Sequence, residues 1–194
     1  MKRRFACIIA SMPVVICMLR GVNLGAHNRV KMDDLKKLCT SLKLRDPQTY
    51  VQSGNVIFTT AERDLGKLRK KLEAAIHKKF GFQTDAILRT TTDFREVVAQ
   101  NPFAKRKDIH PSKLLVTFLS SDPGEAARKQ VRAIKTDPEE ILIEGREAYI
   151  YFPNGAGRSK LNWPIIPKTL KVQGTARNWN SVSKMLELAE KMEA

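Results

Sequence analysis

The segment VVICMLRGVNLGAHNRVKMDDLKKLCTSL, Val14–Leu42, carries the pattern that decides the fold of this chain. Its opening run VVICML is apolar throughout and predicts a buried strand. Two glycines and two asparagines follow, and these residues are typical of a turn. Apolar residues then recur at helical spacing, at Met32, Leu35, Leu38, Cys39 and Leu42. The chain is therefore expected to begin with a strand, a turn and a helix.

The following residues extend this start to the order β-α-β-β-α-β. The short β-prone runs QTYVQ and NVIFT are separated by Ser53-Gly54, which predicts a hairpin. Asp64 is expected to cap the helix LGKLRKKLEAAIHKKF, and Gly81 to end it. The run DAILRT is expected to form the fourth strand.

The second half repeats this order of elements. A linking helix from about Thr92 to Asn101 precedes the strand KLLVTFLS. The segment EAARKQVRAI then predicts a helix, and EILIE with AYIYF predicts a hairpin. RSKLNWPIIPKTL predicts a short helix, GTARN a strand, and SVSKMLELAEKM a terminal helix. The doubled order predicts an α+β protein built from tandem, duplicated ferredoxin-like βαββαβ units with a C-terminal helix.

The same pattern predicts the domain organisation. Residues 1–11 are expected to be an N-terminal extension outside the fold, with Met12 as the functional start. The first ferredoxin-like subdomain is assigned to 12–90, a linking helix and basic linker to 91–110, and the second subdomain with the terminal helix to 111–194.

The charge of the chain is unevenly distributed. The 194 residues carry a net charge of +15. Residues 1–110 contain 22 Lys and Arg against 10 Asp and Glu, and residues 111–194 contain 13 against 10. A basic half favours an anionic partner such as nucleic acid or another polyanion, although a solvated lysine surface gives the same composition. The candidate phosphate-contacting residues are Lys67, Lys70, Lys71, Lys105, Arg106 and Lys107.

Localisation follows from the cysteines and the apolar runs. The three cysteines include no CxxC pair, which favours a reducing cytoplasm over a disulfide framework. From Met12 onward no apolar run has the roughly 18 residues needed to span a bilayer, so no membrane partner is predicted.

Four loops contain the polar residues that could bind an anion. They are the opening turn, QSGN, NGAGRSK and TARNWNS. Arginine side chains bind oxyanions in a bidentate way, an exposed tryptophan stacks on planar bases, and asparagines bind base edges. The same residues are also common in turns and helix caps, and Trp179 could pack between the subdomains. The candidate ligand-binding residues are Arg20, Asn23, Gln52, Ser53, Asn55, Arg158, Ser159, Lys160, Arg177, Asn178 and Trp179.

No catalytic centre is recognisable in the sequence. The three histidines cannot be combined with a nucleophile or a carboxylate into a catalytic set, and no metal-ligand motif is present. The opening turn matches neither GxGxxG nor GxxxxGK[ST]. No cofactor or metal is therefore predicted, and whether the protein is an enzyme stays open.

Four motifs together resemble one family. LRGVNLGAHNRVKMDDL, TYVQSGNVIF, FPNGAGRSKL and GTARNWNSVSKM are similar to the bacterial family called domain of unknown function 1697, in the family's order. The chain departs from the family pattern at Ala26, where a second glycine is usual, and at Ser181, where threonine is usual. The resemblance implies a duplicated ferredoxin-like architecture and a cytoplasmic bacterial protein, with no established activity.

Three hypotheses about function are compatible with these observations. The first is a module that binds nucleic acid or another polyanion. The second is an enzyme or binder that holds a small phosphorylated or carboxylated ligand between the two subdomains. The third is a structural or oligomeric protein whose loop motifs only stabilise turns. The sequence favours the first because net charge is its clearest deviation from an ordinary composition.

Overall fold

The computed structural model describes residues 12–25, 27–161 and 165–194. The strands in this part of the chain are β1 Val14–Leu19, β2 Arg45–Tyr50, β3 Asn55–Thr59, β4 Ala86–Thr90, β5 Leu114–Leu119, β6 Glu140–Glu144, β7 Glu147–Tyr151 and β8 Gly174–Asn178. The α-helices are α1 Met32–Ser41, α2 Leu65–Phe80, α3 Thr91–Ala99, α4 Glu125–Arg132, α5 Ile165–Leu170 and α6 Trp179–Glu193.

The strands form two antiparallel sheets of four strands each. The first sheet has the order β2-β3-β1-β4 and the second has the order β6-β7-β5-β8. The strand order of the first sheet is therefore repeated in the second. The sequence-based prediction of a mixed α+β protein is confirmed at this level.

The two sheets pack on a shared central core. Side chains alternate between the two faces of a strand, so every second residue of β1 points to the same side. The face of the first sheet that carries Ile16 and the face of the second sheet that carries Val116 both belong to this core. Helices α3 and α6 complete it with Phe94, Val97, Val182, Met185 and Ala189.

The outer faces of the sheets are covered by the remaining helices. Apolar residues of α1 and α2 pack on the outer face of the first sheet, and residues of α4 and α5 pack on that of the second. All six residues of β1 are buried because both faces of the strand are covered. This explains why its sequence is a continuous apolar run rather than an alternating one.

The β2–β3 hairpin confirms the predicted turn at Ser53-Gly54, but β2 is shifted. The sequence placed this strand at residues 48–52, whereas the structure places it at Arg45–Tyr50. Pro47 is tolerated because β2 is an edge strand and its register shifts between Arg45 and Gln48.

Gly54 is required in this hairpin for two reasons. Its φ is +73°, and a Cβ atom would lie 2.4 Å from Cγ2 of Val22 and 2.9 Å from Cβ of Leu19. We expect Gly54→Ala to lower the free energy of unfolding by roughly 2–3 kcal/mol, through backbone strain plus overpacking. Gly81 is the matched control, since its φ is +80° but a Cβ atom there would have no neighbouring atom within 4 Å.

Gly81→Ala is expected to cost about 1 kcal/mol, from backbone strain alone. Urea unfolding of both variants measures the difference. If both variants lose the same free energy of unfolding, the structure relieves the close contact between the added Cβ atom at residue 54 and Val22 at no energetic cost.

The last two helices differ most from their predicted limits. The terminal helix begins at Trp179 rather than near Ser181, because the side chain of Asn178 accepts a hydrogen bond from the Asn180 amide and caps the helix. Helix α5 covers only the end of the segment RSKLNWPIIPKTL, and a 3₁₀ turn at Ala156–Arg158 ends at the first residue of that segment.

The remaining predictions concern the N-terminal extension, the cysteines, membrane spans and the subdomain limits. The proposed extension 1–11, with Cys7, lies outside the described residues. Cys17 and Cys39 are buried free thiols, and burial raises the pKa of Cys39 to about 12. No helix in the described ranges is long and apolar enough to cross a membrane. The subdomain limits 12–90 and 111–194 stay a prediction.

Candidate functional site

The opening loop is held closed by Asn23. Its Nδ2 donates to the carbonyl oxygens of Val30, at 3.0 Å, and Gln52, at 2.7 Å. Its Oδ1 accepts from the Val30 amide at 2.8 Å. The carboxamide therefore joins the opening loop to the β2–β3 hairpin, and the side chain of Gln52 stays exposed beside it.

Asn55 lies buried at the start of β3. Its Nδ2 donates to the Tyr50 carbonyl at 3.2 Å and to Oγ of Ser53 at 2.8 Å. Its Oδ1 accepts from Nε of Arg177 at 2.5 Å. Both ends of this amide thus have protein partners.

Arg177 projects from β8 of the second sheet into this cluster and is only 7% exposed. Besides Asn55, its guanidinium donates at 2.8 Å to Oγ1 of Thr175 and to the carbonyls of Ala176 and Leu19. It also donates to the Ser53 carbonyl at 3.0 Å. A guanidinium has five N–H donors, so these contacts use its whole capacity. Burial lowers the pKa of Arg177 to about 10.

The structure therefore brings Asn23, Gln52, Ser53, Asn55 and Arg177 together, which we call the loop cluster. Sequence reasoning grouped these residues as anion ligands, but Arg177 has no donor left for an anion. Its contacts instead fasten the second sheet to the first. Arg20 lies outside the cluster and forms an exposed ion pair with Asp85 at 2.9 Å.

The loop that carries Arg158, Ser159 and Lys160 is not part of the loop cluster. It follows β7, whose last residue Tyr151 pairs with Leu114 at the start of β5. Thr175, beside the loop cluster, pairs with Phe118 near the other end of β5. Leu114 and Phe118 are roughly 13 Å apart along β5, at about 3.3 Å per residue, so the loop after β7 leaves the sheet at the end opposite to the loop cluster.

Within this second loop the side chains have different roles. Oγ of Ser159 accepts from the Leu161 amide at 3.0 Å and stabilises a turn. The side chains of Arg158 and Lys160 are exposed and form no hydrogen bond or ion pair with any described residue.

Asn178 and Trp179 have structural contacts. Asn178 caps α6, and its Nδ2 donates to the Ser112 carbonyl at 2.8 Å. Trp179 is partly buried and packs against the central core. Of the two roles that the sequence left open for Trp179, the structure shows the packing one.

The basic candidates divide into free and paired residues. Lys67, Lys70 and Lys71 are exposed on α2. Lys67 forms an ion pair with Glu62 at 3.3 Å, Lys71 donates to the Leu42 carbonyl at 3.2 Å, and Lys70 has no partner among the described residues.

In the linker, Lys105 and Lys107 are exposed, but Arg106 is engaged. It forms ion pairs with Asp108 at 2.5 Å and with Glu140 at 2.6 Å. Hydrogen bonds to Asp108 and Glu140 raise the pKa of the Arg106 guanidinium. This local neutralisation weakens Arg106 as a phosphate contact.

Sequence reasoning missed a second buried arginine. Arg89, on β4, is 2% exposed and donates to Oε1 of Glu147 at 3.0 Å and to the Leu119 carbonyl at 2.8 Å. The arrangement is reciprocal to that of Arg177. Arg89 lies on β4, the last strand of the first sheet, and donates to Leu119, the last residue of β5 in the second sheet. Arg177 lies on β8, the last strand of the second sheet, and donates to Leu19, the last residue of β1 in the first sheet.

The two arginines differ in the charge of their partners. Arg177 is bound by neutral groups, whereas Arg89 faces the carboxylate of Glu147, which is 8% exposed. Burial raises the pKa of Glu147, and the positive charge of Arg89 opposes that shift. Burial likewise lowers the pKa of Arg89.

The described residues include no group of three or more His, Cys, Asp or Glu placed to hold a metal ion. Of the histidines, His110 contacts Oγ of Ser112 through Nδ1 at 2.7 Å, while His27 and His77 are exposed. The geometry is that of an interface between two sheets with charged clefts at its edge.

Comparison with known proteins places the chain in a family. Residues 12–149 match the model of a family described as protein of unknown function, DUF1697. The chain belongs to this family. The resemblance predicted from the sequence motifs is thereby confirmed. A search of curated proteins gives no match.

One similar solved structure supports the fold of this DUF1697 member. It is the conserved bacterial protein SP0830 from Streptococcus pneumoniae, at 22% sequence identity and a TM-score of 0.70. The match covers 92% of this chain and 99% of that one. At this identity the likeness concerns the fold alone.

Proposed function

We propose that this protein is a tandem of two ferredoxin-like units that binds a polyanion, nucleic acid above all, through the exposed side of α2. The repeated strand order and the helix pairs on the outer faces of both sheets support the tandem arrangement. The charge of α2 supports the binding function. The observation that carries the proposal is the row of exposed lysines along this helix.

Helix α2 carries its buried apolar residues and four of its lysines on different sides. Leu68, Leu72 and Ile76 are buried against the first sheet. Four lysines on the other side of the helix are exposed, namely Lys67, Lys70, Lys71 and Lys78. Their spacings of three, four and seven residues place them along one side of the helix.

The basic surface continues onto the loop after α1. Lys43, Lys67 and Lys71 line one cleft of about 420 Å³, and Glu62 is the carboxylate among its described lining residues. We call Lys43, Lys67, Lys70, Lys71 and Lys78 the basic face. Ammonium groups on such a surface contact phosphates without reading base sequence.

The packing of the first sheet indicates the mode of binding. Modules that read single-stranded RNA with a sheet stack bases on aromatic residues of an open sheet face. Here helices cover the outer face and the second sheet covers the inner one. Phe58 is fully buried, and Tyr50 packs against the central core. Binding is therefore expected to depend on backbone charge and to fall steeply with salt.

The test is fluorescence anisotropy of labelled single-stranded DNA across a salt series. Replacing Lys70, Lys71 and Lys78 with glutamate is expected to weaken binding at least about tenfold and to make the salt slope shallower by about 2, as the loss of three phosphate contacts predicts. The matched control carries Lys129→Glu, Lys135→Glu and Lys168→Glu, three exposed lysines of the second half with the same change in net charge.

The control triple is expected to retain most of the affinity. Equal losses in the two triples would mean that net charge rather than the basic face governs binding. Absence of any wild-type binding at physiological salt would overturn the proposal outright.

A further inference from the structure

A second cavity lies where the two sheets meet, and none of its described lining residues belongs to the basic face. It has a volume of about 260 Å³. Its walls come from both halves of the chain, with Gly66 and Arg69 of α2 and Arg89 of β4 on one side and Ser120 and Arg146 on the other. We call it the arginine cleft. Its described lining residues include three arginines and no Asp or Glu.

Two of these arginines have most of their hydrogen-bonding capacity unused. Nε of Arg69 lies 4.0 Å from Oε1 of Glu73, beyond hydrogen-bond distance, and that oxygen already accepts from the Ala86 amide at 2.9 Å. Nη2 of Arg146 has one long contact, 3.4 Å, to Oδ1 of Asp93. The other carboxylate oxygen of Asp93 is engaged in capping α3 at Thr90.

The contrast with the buried arginines is informative. Arg177 and Arg89 are enclosed by acceptors, so their positive charges are solvated by the protein. Arg69 and Arg146 have side chains that are 42% and 43% exposed and present their N–H groups to the cavity or to water. Arg89 and Arg146 both line the cleft, and the proximity of Arg146 adds to the effect of burial in lowering the pKa of Arg89.

We propose that the arginine cleft binds the phosphate group of a small phosphorylated molecule between the guanidinium groups of Arg69 and Arg146. Each planar guanidinium can donate two parallel hydrogen bonds to phosphate oxygens. Ser120, which also lines the cleft, carries a hydroxyl that can donate a further hydrogen bond. An anion here also offsets the repulsion between Arg146 and Arg89.

The size of the cleft determines the class of ligand. Its volume of about 260 Å³ equals that of roughly nine water molecules at about 30 Å³ each. This space holds a phosphate group with a short organic substituent. None of the described lining residues belongs to the basic face, so the two sites can be tested by separate substitutions.

Calorimetric titration with inorganic phosphate, at an ionic strength held constant with chloride, tests this inference. Wild type is expected to bind phosphate, and Arg69→Gln and Arg146→Gln are each expected to weaken binding about tenfold or more, about 1.4 kcal/mol. Arg146→Lys keeps the charge without the fork and is expected to give an intermediate affinity. Arg45→Gln, which removes an exposed arginine at the start of β2, is the matched control and is expected to bind as wild type does.

Thermal unfolding without phosphate provides the control for folding. Because Arg69 and Arg146 are loosely bonded, the variants are expected to unfold at the wild-type temperature, and only the stabilisation by added phosphate should be lost. Three results would each overturn the inference: no phosphate binding by wild type, wild-type affinity in both glutamine variants, or an equal loss in Arg45→Gln.

Discussion

Arg177→Met is expected to lower the free energy of unfolding by roughly 4 kcal/mol, because it leaves several buried acceptors without a donor. Five acceptors lose the guanidinium as a donor, among them the carbonyls of Leu19 in β1 and Ser53 in the β2–β3 turn. Methionine approximates the length of the side chain, so the loss concerns hydrogen bonds more than packing. Urea unfolding measures the change.

Two further variants make the Arg177 experiment specific. Arg177→Lys keeps the positive charge but cannot donate in the directions of a planar guanidinium, and it should remain destabilised by about 2 kcal/mol or more. Arg158→Met removes an exposed arginine without described partners and should change stability by less than about 0.5 kcal/mol. A wild-type stability for Arg177→Met would show that water replaces the guanidinium at no cost, and that the loop cluster is not what joins the sheets.

Hydrophobic periodicity was sufficient to predict most elements of this fold. The continuous run in β1, the hairpin around Gly54 and the Asp64 cap of α2 follow from local rules that act over a few residues. The exception in the first sheet was β2, which was expected at residues 48–52 and lies at Arg45–Tyr50, a span that includes Pro47. A proline is disfavoured in a central strand but tolerated in an edge strand, and the sequence does not state which strand is at the edge.

The role of Arg177 was not predictable in the same way. An arginine among small polar residues can donate to a ligand or to backbone carbonyls, and the chemistry of the side chain is identical in both cases. Its acceptors at Leu19, Ser53 and Asn55 are more than 120 residues away in the chain. Only the packing of the second sheet on the first brings them together.

Arg89 did have a local signal. In AILRT, Arg89 and Ile87 are two residues apart, so both side chains point to the same face of the strand. Since Ile87 is apolar, Arg89 could have been assigned to a buried face, where an arginine needs a partner. The identity of that partner, Glu147 on another sheet, depends on tertiary packing.

The Arg89–Glu147 pair gives the second large expected effect. Arg89→Met leaves the Glu147 carboxylate buried without its counterion and is expected to cost about 3–5 kcal/mol at neutral pH. The double variant Arg89→Met with Glu147→Leu removes both charges and is expected to recover most of that loss. Arg95→Met, which breaks exposed ion pairs with Glu190 and Glu193, is the control and should cost less than about 1 kcal/mol.

The cost of Arg89→Met is also expected to depend on pH. Burial already raises the pKa of Glu147 in the wild type, and removing the opposing charge of Arg89 raises it further. A carboxyl group with a raised pKa binds more protons in the folded state than in the unfolded state, so stability falls as pH rises above the ordinary glutamate value of about 4.3. The single variant should therefore lie closest to wild type in mildly acidic urea-unfolding experiments and diverge from it toward neutral pH. The double variant, which lacks the carboxylate, should show none of the loss of stability with rising pH that Glu147 causes. A cost of Arg89→Met that stays constant with pH would mean that Glu147 remains ionised after its partner is gone, with water entering to solvate it.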